Sequence, residues 1–368
     1  MTAVNPQLFQ RTARQLGLPL LAIATAMFIT VPIIGAALDW DWAAIATTYR
    51  GLLDGALLKQ YAFANTLVAA IPLMFTGLAL ALGFRTGVFN IGAAGQFLLG
   101  ATFAVWVGYA IPLPPLLHPI AALLAGAIGG GLWGAIPGFL KARFGSHEVI
   151  NTIMLNYLAF FLQDWLVKNP MKDPSPTVVR TPEVLATAVL PRFYDRLHVG
   201  LFLALLAAIF VWWLLSKTTL GFELRTVGSN PEAARYAGMK LGRLTVLSLA
   251  LSGALAGLGG AVQILGVDRA MQVLYSSDYG FDAIPVALLG QNQPLGVVLS
   301  AILFGALRNG SDLMQLRSGG AVSKEVIFIV QAVILLFVAA PAIVRWLYRL
   351  RLPQSEIEKE GSLTRGWG

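Results

Sequence analysis

The chain alternates long runs of apolar residues with short polar stretches. A run of about 20 apolar residues can cross a bilayer as a helix. The pattern predicts an all-α polytopic membrane protein with about ten transmembrane segments, near residues 17–38, 62–83, 88–109, 118–140, 149–167, 199–216, 244–266, 281–290, 295–309 and 325–346. The third segment is interrupted by glycines, and the eighth is too short to cross as a regular helix.

Composition supports this class and excludes others. Hydrophobic residues make up 57% and charged residues 12% of the 368 residues, whereas soluble domains carry about a quarter charged residues. Cysteine is absent, and the three histidines are scattered as His118, His147 and His198, so no metal site is expected. The net charge of +8 fits a basic face on anionic membrane lipid, and nucleic acid is not an expected partner.

The distribution of lysine and arginine predicts the orientation. With a cytoplasmic N-terminus and alternating segments, the cytoplasmic stretches hold more basic residues than the outer ones. Both termini are therefore predicted to be cytoplasmic. We expect one membrane domain over residues 1–346, with halves near 17–167 and 199–346, and a cytoplasmic tail over 347–368.

Two segments at predicted membrane depth contain residues that interrupt helices. The first, R-T-G-V-F-N-I-G-A-A-G-Q-F-L-L-G, starts at Arg85, and the second, Y-G-F-D-A-I-P-V-A-L-L-G, starts at Tyr279. They place an aromatic residue before Asn90 and Asp282, respectively. Since the predicted topology brings one segment in from each side, the halves are predicted to form an inverted repeat, whose broken helices commonly mark a substrate pathway.

The polar and small residues of these segments have more than one interpretation. Asn90 and Gln96 can hydrogen-bond a passing solute or cap freed backbone groups. Gly92 and Gly95 can bend the chain or let helices pack closely. Asp282 is placed where a carboxylate complements the dipole of a starting helix, which is a structural role. Few other ionisable groups lie within the predicted segments, which argues against an ion-driven carrier.

The polar stretch 217–243 contains signals for a short helix. Ser229 with Glu232 fits a capping box, and Asn230 followed by proline fits an N-cap with proline at the first position. Helix-forming residues follow, and Gly238 is a stop signal. Such a helix can rest on lipid headgroups, or it can transmit force from a soluble partner.

Together these motifs resemble the membrane-spanning permease subunit of bacterial ABC importers. The stretches that carry the resemblance are G-F-E-L-R-T-V-G-S-N-P-E-A-A-R-Y-A-G, F-N-I-G-A-A-G-Q-F-L-L-G and Y-G-F-D-A-I-P-V-A-L-L-G, and it extends from about Tyr61 to Pro341. The broad family includes permeases for branched-chain amino acids and simple sugars, and the F-N-I-G-A-x-G-Q form most resembles its nucleoside branch. The family commonly has Glu where this chain has Ala94, so the charge at that turn is lost.

The resemblance implies residues for two tasks. The broken segments line the translocation route, with Phe89, Asn90, Gly92, Gly95, Gln96, Phe281 and Asp282 as candidates. The cytoplasmic loop contains the coupling helix that docks into an ATPase, with Gly228, Asn230, Glu232, Ala233, Ala234, Arg235 and Gly238 as candidates.

The resemblance also implies partners. The chain contains no G-x-x-x-x-G-K-[ST] phosphate loop, so it is expected to be a transport subunit without catalytic residues or a cofactor of its own. ATP and Mg²⁺ are then bound by cytoplasmic ATPase subunits. A second permease subunit and an extracytoplasmic solute-binding protein complete the set, in the bacterial inner membrane.

Alternative functions differ in solute and in energy source. Nucleosides are the expected solute, with simple sugars or branched-chain amino acids as the alternatives. An ion-coupled secondary transporter is a less favoured class. A membrane enzyme or scaffold is disfavoured, because the sequence offers no paired carboxylates, metal-ligand cluster or nucleophile with a base.

Overall fold

The computed structural model describes residues 6–174, 178–275 and 278–339. Most of this part of the chain is helical. The elements are α1 (Pro6–Ala37), α2 (Trp42–Leu53), α3 (Ala62–Arg85), α4 (Ala93–Ala110), α5 (Leu117–Phe144), α6 (Glu148–Lys168), β1 (Arg192–Tyr194), β2 (Leu197–His198), α7 (Gly200–Lys217), α8 (Thr219–Ser229), α9 (Pro231–Tyr236), α10 (Leu241–Gln263), α11 (Tyr279–Leu289), α12 (Pro294–Arg317) and α13 (Val326–Ala339). The expected tail at 347–368 and the end of the last expected segment lie outside the described residues.

The chain divides into two compact units. Among the described residues, the first unit comprises 6–33 and 328–339, and the second comprises 34–327. In the first unit, the hydroxyls of Thr25 and Thr30 donate hydrogen bonds to carbonyl oxygens of their own helix. Polar groups in this apolar helix are thus paired locally. Both candidate sites lie in the second unit.

Six helices of the described part of the chain are long and apolar enough to cross a membrane. They are α3, α4, α5, α7, α10 with the π-helical turn Ile264–Asp268 that extends it, and α12. Shorter apolar stretches of helix are Ile23–Ala37, Tyr279–Leu289 and Val326–Phe337. The chain therefore has the helical, multi-pass character that its sequence predicts, and the exact number of spans stays a prediction.

The helices of the second unit differ in how deeply they are buried. In the most apolar 18-residue stretch of each helix, 89% of the residues of α3 are buried, against 28% in α5 and 33% in α7. A helix that is apolar on all sides belongs in the interior, and α3 packs against α10 and α12. The exposed side chains of α5 and α7 include Leu124, Leu132 and Ile209, which gives these helices surfaces suited to lipid or a second subunit.

Glycines bring α5 and α10 into backbone contact. A Cβ atom on Gly130 would lie 2.3 Å from the carbonyl oxygen of Gly253, and one on Gly257 would lie 2.3 Å from that of Gly126. Those distances are shorter than any Cβ tolerates, so only glycine fits at these crossings. Small residues at a helix crossing are the usual means of close packing within membranes.

Both predicted interruptions are present. After α3 the chain turns through residues 86–92 before α4 begins. After α10 a π-helical turn ends at Asp268 and is followed by Arg269, which has φ of +60°. The helix α11 then has only 11 residues. In each half of the second unit, a non-helical segment therefore separates a helix from the one before it.

A loop segment, residues 178–185, lies alongside the chain that leads to α11, and we call it the strap. The amide of Thr181 donates to the carbonyl of Met271 at 2.9 Å, and the amide of Val184 donates to that of Arg269 at 2.8 Å. The amide of Met271 donates in return to the Thr181 hydroxyl at 3.0 Å. The strap thus fixes residues 269–273.

Two helices were not expected from the sequence, and two others are longer than expected. The helix α1 begins at Pro6, whereas its segment was expected from residue 17. The helix α2 is capped by the Asp41 carboxylate, which accepts from two amides of its first turn, and α8 is capped by the Thr218 hydroxyl. With 12 and 11 residues, both helices are shorter than a membrane-crossing segment, and the apolar runs of the sequence therefore did not indicate them. The helix α12 was expected to end near Asn309 but continues to Arg317, and the polar residues of its last turns hid this extension from the hydropathy pattern.

Candidate functional site

Asn90 and Gln96 form a reciprocal pair at the start of α4. The Asn90 amide donates to the Gln96 side-chain oxygen at 2.8 Å and to the Ser252 hydroxyl at 2.8 Å. The Gln96 amide donates to Asn90 Oδ1 at 3.1 Å, and the same oxygen accepts from the Gly92 amide at 3.0 Å. Asn90 therefore joins the turn before α4 to α10.

A second asparagine, from α6, completes the cap. Asn156 Oδ1 accepts from the amide of Gly95 at 2.8 Å, and its Nδ2 donates to the carbonyl of Ile91 at 2.9 Å. The first turn of a helix has amides without intrahelical partners, and side chains of Asn90 and Asn156 pair with two amides of this region. The sequence did not identify Asn156, whose partner is distant along the chain.

These contacts favour the capping interpretation for Asn90 and Gln96 in this conformation. Both side chains are 1% exposed, and the hydrogen bonds described above use their polar atoms. Gly92 and Gly95 are buried at the same place, where a Cβ on Gly95 would lie 3.0 Å from the Cβ of Ala159. Direct contact of these residues with solute requires this region to open and stays a prediction.

The starts of the two helices that follow the interruptions meet. A Cβ on Gly280 would lie 2.2 Å from the amide nitrogen of Ala94, and the rings of Phe97 and Tyr279 have centroids 5.5 Å apart. The N-terminal ends of α4 and α11, one from each half of the sequence, therefore contact each other. Ala94 is fully buried, so the position where the family commonly has Glu lies inside this contact.

Asp282 has an ionic partner that the sequence did not suggest. It lies in the first turn of α11, as expected, but its carboxylate pairs with the guanidinium of Arg308 at 3.3 Å. That guanidinium also lies 4.4 Å from the centroid of the Tyr279 ring. The role of Asp282 is therefore not limited to the helix dipole. An arginine at the end of the apolar segment expected near 295–309 was the available signal.

The two aromatic candidates are exposed in the isolated chain. Phe89 packs against Phe84 with ring centroids 4.8 Å apart, and both Phe89 and Phe281 are exposed by more than two-fifths. Side chains of this kind are available to a second subunit or to solute.

The loop over residues 217–243 contains the short helix that its sequence predicts. Asn230 is the N-cap, accepting from the Ala233 amide at 3.0 Å, and proline follows at the first position. The capping-box alternative is wrong, because the Ser229 hydroxyl instead donates to the carbonyl of Arg225. Gly238 ends the motif with φ of +80°, a conformation that favours glycine.

The side chains of α9 divide into an inner and an outer set. Ala234 is fully buried, whereas Glu232 and Arg235 form an ion pair at 3.5 Å with both side chains about two-thirds exposed. Ala233 supplies the amide that Asn230 caps. The helix therefore presents charged side chains outward while Ala234 anchors it to the rest of the unit.

Gly228 connects the coupling candidates to the first broken segment. A Cβ at this position would lie 2.5 Å from the carbonyl oxygen of Arg85, the last residue of α3. Next to it, Gly87 has φ of +70°. The segment predicted to dock a partner and the turn that leads to Asn90 are therefore in direct backbone contact.

Residues 62–339 match the family described as branched-chain amino acid transport system / permease component. The chain belongs to this family. The match extends from the start of α3 to the end of α13. It therefore includes both broken segments and also the helices α8 and α9.

Relatives of this permease have names that include a solute. The guanosine ABC transporter permease protein NupP of Bacillus subtilis is 43% identical over 86% of this chain and 90% of its own length. The nucleoside ABC transporter permease protein NupB of Lactococcus lactis is 34% identical over 87% and 89%. The glucose ABC transporter permease protein TsgB13 of Haloferax volcanii is 34% identical over 76% and 77%.

Proposed function

We propose that this chain is the permease subunit of an ATP-driven importer that carries nucleosides across the bacterial inner membrane. The observation that carries the proposal is the similarity to the guanosine permease NupP, at 43% identity over 86% of this chain. Similarity to a second nucleoside permease over nearly the same length supports it. The importer class and the solute are thus proposed together.

The partners follow from the same proposal. ATPase subunits, which bind ATP and Mg²⁺, dock on residues 228–238 from the cytoplasm, where both termini of this chain also lie. A second permease subunit pairs with this one, and an extracytoplasmic protein delivers the solute. The exposed charges of Glu232 and Arg235 support a docking role for α9, because they are free to face a soluble partner.

The transmission step is proposed to follow the backbone contact at Gly228. Movement of α8 and α9 under a docked ATPase displaces the carbonyl of Arg85 and the turn that holds Asn90. That turn sets the position of α4, whose first residues contact the start of α11. In the proposed inverted repeat, α4 and α11 separate at this contact and open the translocation route for the solute.

Uptake measurements test this proposal. The complete transporter is reconstituted in proteoliposomes with its binding protein, and uptake of labelled guanosine is followed with and without internal ATP. ATP-dependent guanosine uptake is expected, with no uptake of leucine. Uptake that follows an ion gradient without ATP would contradict the importer class.

Glucose is the second candidate solute, since a glucose permease is 34% identical over 76% of the chain. The same vesicles are therefore tested with labelled glucose and ribose. ATP-dependent uptake of either sugar, without guanosine uptake, would replace the nucleoside assignment and retain the importer class.

A further inference from the structure

We propose that Tyr279, Asp282 and Arg308 form a site that holds the transported nucleoside by its flat base and its hydroxyl groups. The inference rests on the proposed function, because it places the solute of that function on named side chains. We call these three residues the α11 site.

Planar groups meet at the α11 site. The Arg308 guanidinium lies 4.4 Å from the centroid of the Tyr279 ring, which in turn lies 5.5 Å from the centroid of the Phe97 ring. Phe97 is fully buried, whereas the Arg308 side chain is 33% exposed. The contacts thus lead from the interior of the protein to an accessible guanidinium.

The length of α11 supports a position of the α11 site within the membrane. Eleven residues of helix extend about 16 Å, roughly half of the hydrocarbon thickness of about 30 Å. Its first turn packs on the first turn of α4 through Gly280 and Ala94. The site therefore lies where the two broken segments converge, and not at the end of a complete span.

A charged pair at such depth needs an explanation. Asp282 and Arg308 are 3.3 Å apart, and their side chains retain 14% and 33% exposure. Charged residues within membrane segments face the protein interior or a water-filled path, since lipid solvates them poorly. We assign the remaining exposure of this pair to the solute route.

A neighbouring carboxylate is held differently. The Asp268 carboxylate accepts hydrogen bonds from the Tyr275 hydroxyl at 2.6 Å and the Gln263 amide at 3.1 Å. Two neutral donors of the protein thus fix Asp268 in place. Asp282 is instead paired with a guanidinium whose planar surface is partly accessible, so this position combines a carboxylate with a planar cation, which Asp268 does not.

The chemistry of a nucleoside matches the α11 site. A guanidinium stacks on flat π-systems, and a carboxylate accepts hydrogen bonds from two hydroxyls. The Asp282–Arg308 pair carries no net charge when both groups are ionised, so a neutral solute can bind and leave without moving a charge. A simple sugar supplies hydroxyls but lacks the flat base.

Transport by substituted proteins is the first test. In the complete transporter with saturating loaded binding protein, Arg308→Lys and Asp282→Asn should each lower ATP-dependent guanosine uptake at least about tenfold. Arg317→Lys is the matched control, because Arg317 lies on the same helix and pairs with Asp54 at 2.6 Å. Uptake within twofold of wild type in both α11-site variants would overturn the inference.

Thiol labelling provides a test that does not depend on the substituted charges. The chain has no cysteine, so Phe281→Cys introduces a single thiol beside the α11 site, and Ile209→Cys on the exposed face of α7 is the control. A charged methanethiosulfonate reagent should label the chain with Phe281→Cys much faster than the control, and guanosine-loaded binding protein with ATP should slow the reaction.

The outcomes separate this inference from the proposed function. The α11 site would be overturned if the charged reagent does not label Phe281→Cys, or if guanosine-loaded binding protein with ATP does not change the labelling rate. Guanosine uptake by the wild-type transporter would then still support the importer. Absence of guanosine uptake by the wild-type complex would overturn the proposed function itself, and with it the nucleoside assignment of the site.

Discussion

Gly87 and Gly228 contact each other backbone to backbone. A Cβ atom on Gly87 would lie 2.9 Å from the Cα of Gly228, and one on Gly228 would lie 2.8 Å from the amide nitrogen of Gly87. No side chain separates α8 from the turn before α4 at this point. A displacement of either segment is therefore passed directly to the other.

A methyl group at Gly228 should disturb this contact. Gly228→Ala forces the backbones apart, and overpacking of this kind costs about 1–3 kcal/mol. We expect ATP-dependent uptake to fall several-fold and the thermal midpoint of the purified subunit to decrease. Gly242→Ala is the control, because a Cβ there meets its nearest neighbour at an ordinary 3.4 Å. Equal uptake in the two variants would argue against transmission through Gly228.

Loss of the Asn90 side chain should destabilise the start of α4. Asn90→Ala removes the acceptor of the Gly92 amide and the partners of Gln96 and Ser252. Leaving buried polar groups unpaired costs about 1–3 kcal/mol, which thermal unfolding in detergent will measure. Asn169→Ala removes a single exposed hydrogen bond and should change the stability by less than about 0.5 kcal/mol. A similar midpoint for both variants would contradict the capping role.

Charge reversal on α9 should affect ATPase binding and leave folding intact. Arg235 is two-thirds exposed, and exposed ion pairs contribute little to stability. Arg235→Glu is therefore expected to fold normally but to co-purify with less ATPase subunit. Lys172→Glu, at an exposed position of the loop after α6, is the control for charge alone. Normal ATPase binding by Arg235→Glu would remove α9 from the docking surface.

Acidification should destabilise the protein through His198. Burial lowers the pKa of His198 from 6.5 to about 4, with a smaller contribution from Arg192, and its Nδ1 accepts from the Gly200 amide at 3.1 Å. The folded state resists protonation, so stability is complete above pH 6.5 and is lost as pH falls from 6.5 toward 4. The shift corresponds to at most roughly 3–4 kcal/mol.

Thermal midpoints at about pH 7.5 and about pH 5, on either side of the ordinary histidine pKa, measure this effect. His198→Gln removes the titrating group while keeping an acceptor, so the variant should lose less stability on acidification than wild type does. The same decrease in both proteins would show that other groups cause it.

The sequence predicted the apolar helices well because their signal is local. For example, segments expected near 62–83 and 149–167 correspond to Ala62–Arg85 and Glu148–Lys168. The helix α8 was not predicted because its sequence, T-L-G-F-E-L-R-T-V-G-S, is polar and short. Its stability comes from the Thr218 cap and from packing of Leu224, which is buried, and packing is not visible in a hydropathy pattern.

The sequence indicated which residues belong to the candidate sites, but it did not indicate which side chains they contact. Asn90 and Gln96 are six positions apart, and their proximity follows from the local turn. The contact of Asn90 with Ser252 joins residues 162 positions apart. Likewise, the pairing of Asp282 with Arg308 depends on the turn between α11 and α12. Such pairs are set by tertiary packing, which spacing along one chain does not encode.

The strap has a consequence for the order in which the chain folds. Its residue Thr181 finds its partner Met271 ninety positions later, so a ribosome must add α7 to α10 before these hydrogen bonds can form. Until then the amides of Thr181 and Val184 lack the carbonyl partners that they have in the folded chain. Closure of the strap therefore marks the stage of synthesis at which the second half of the permease has joined the first.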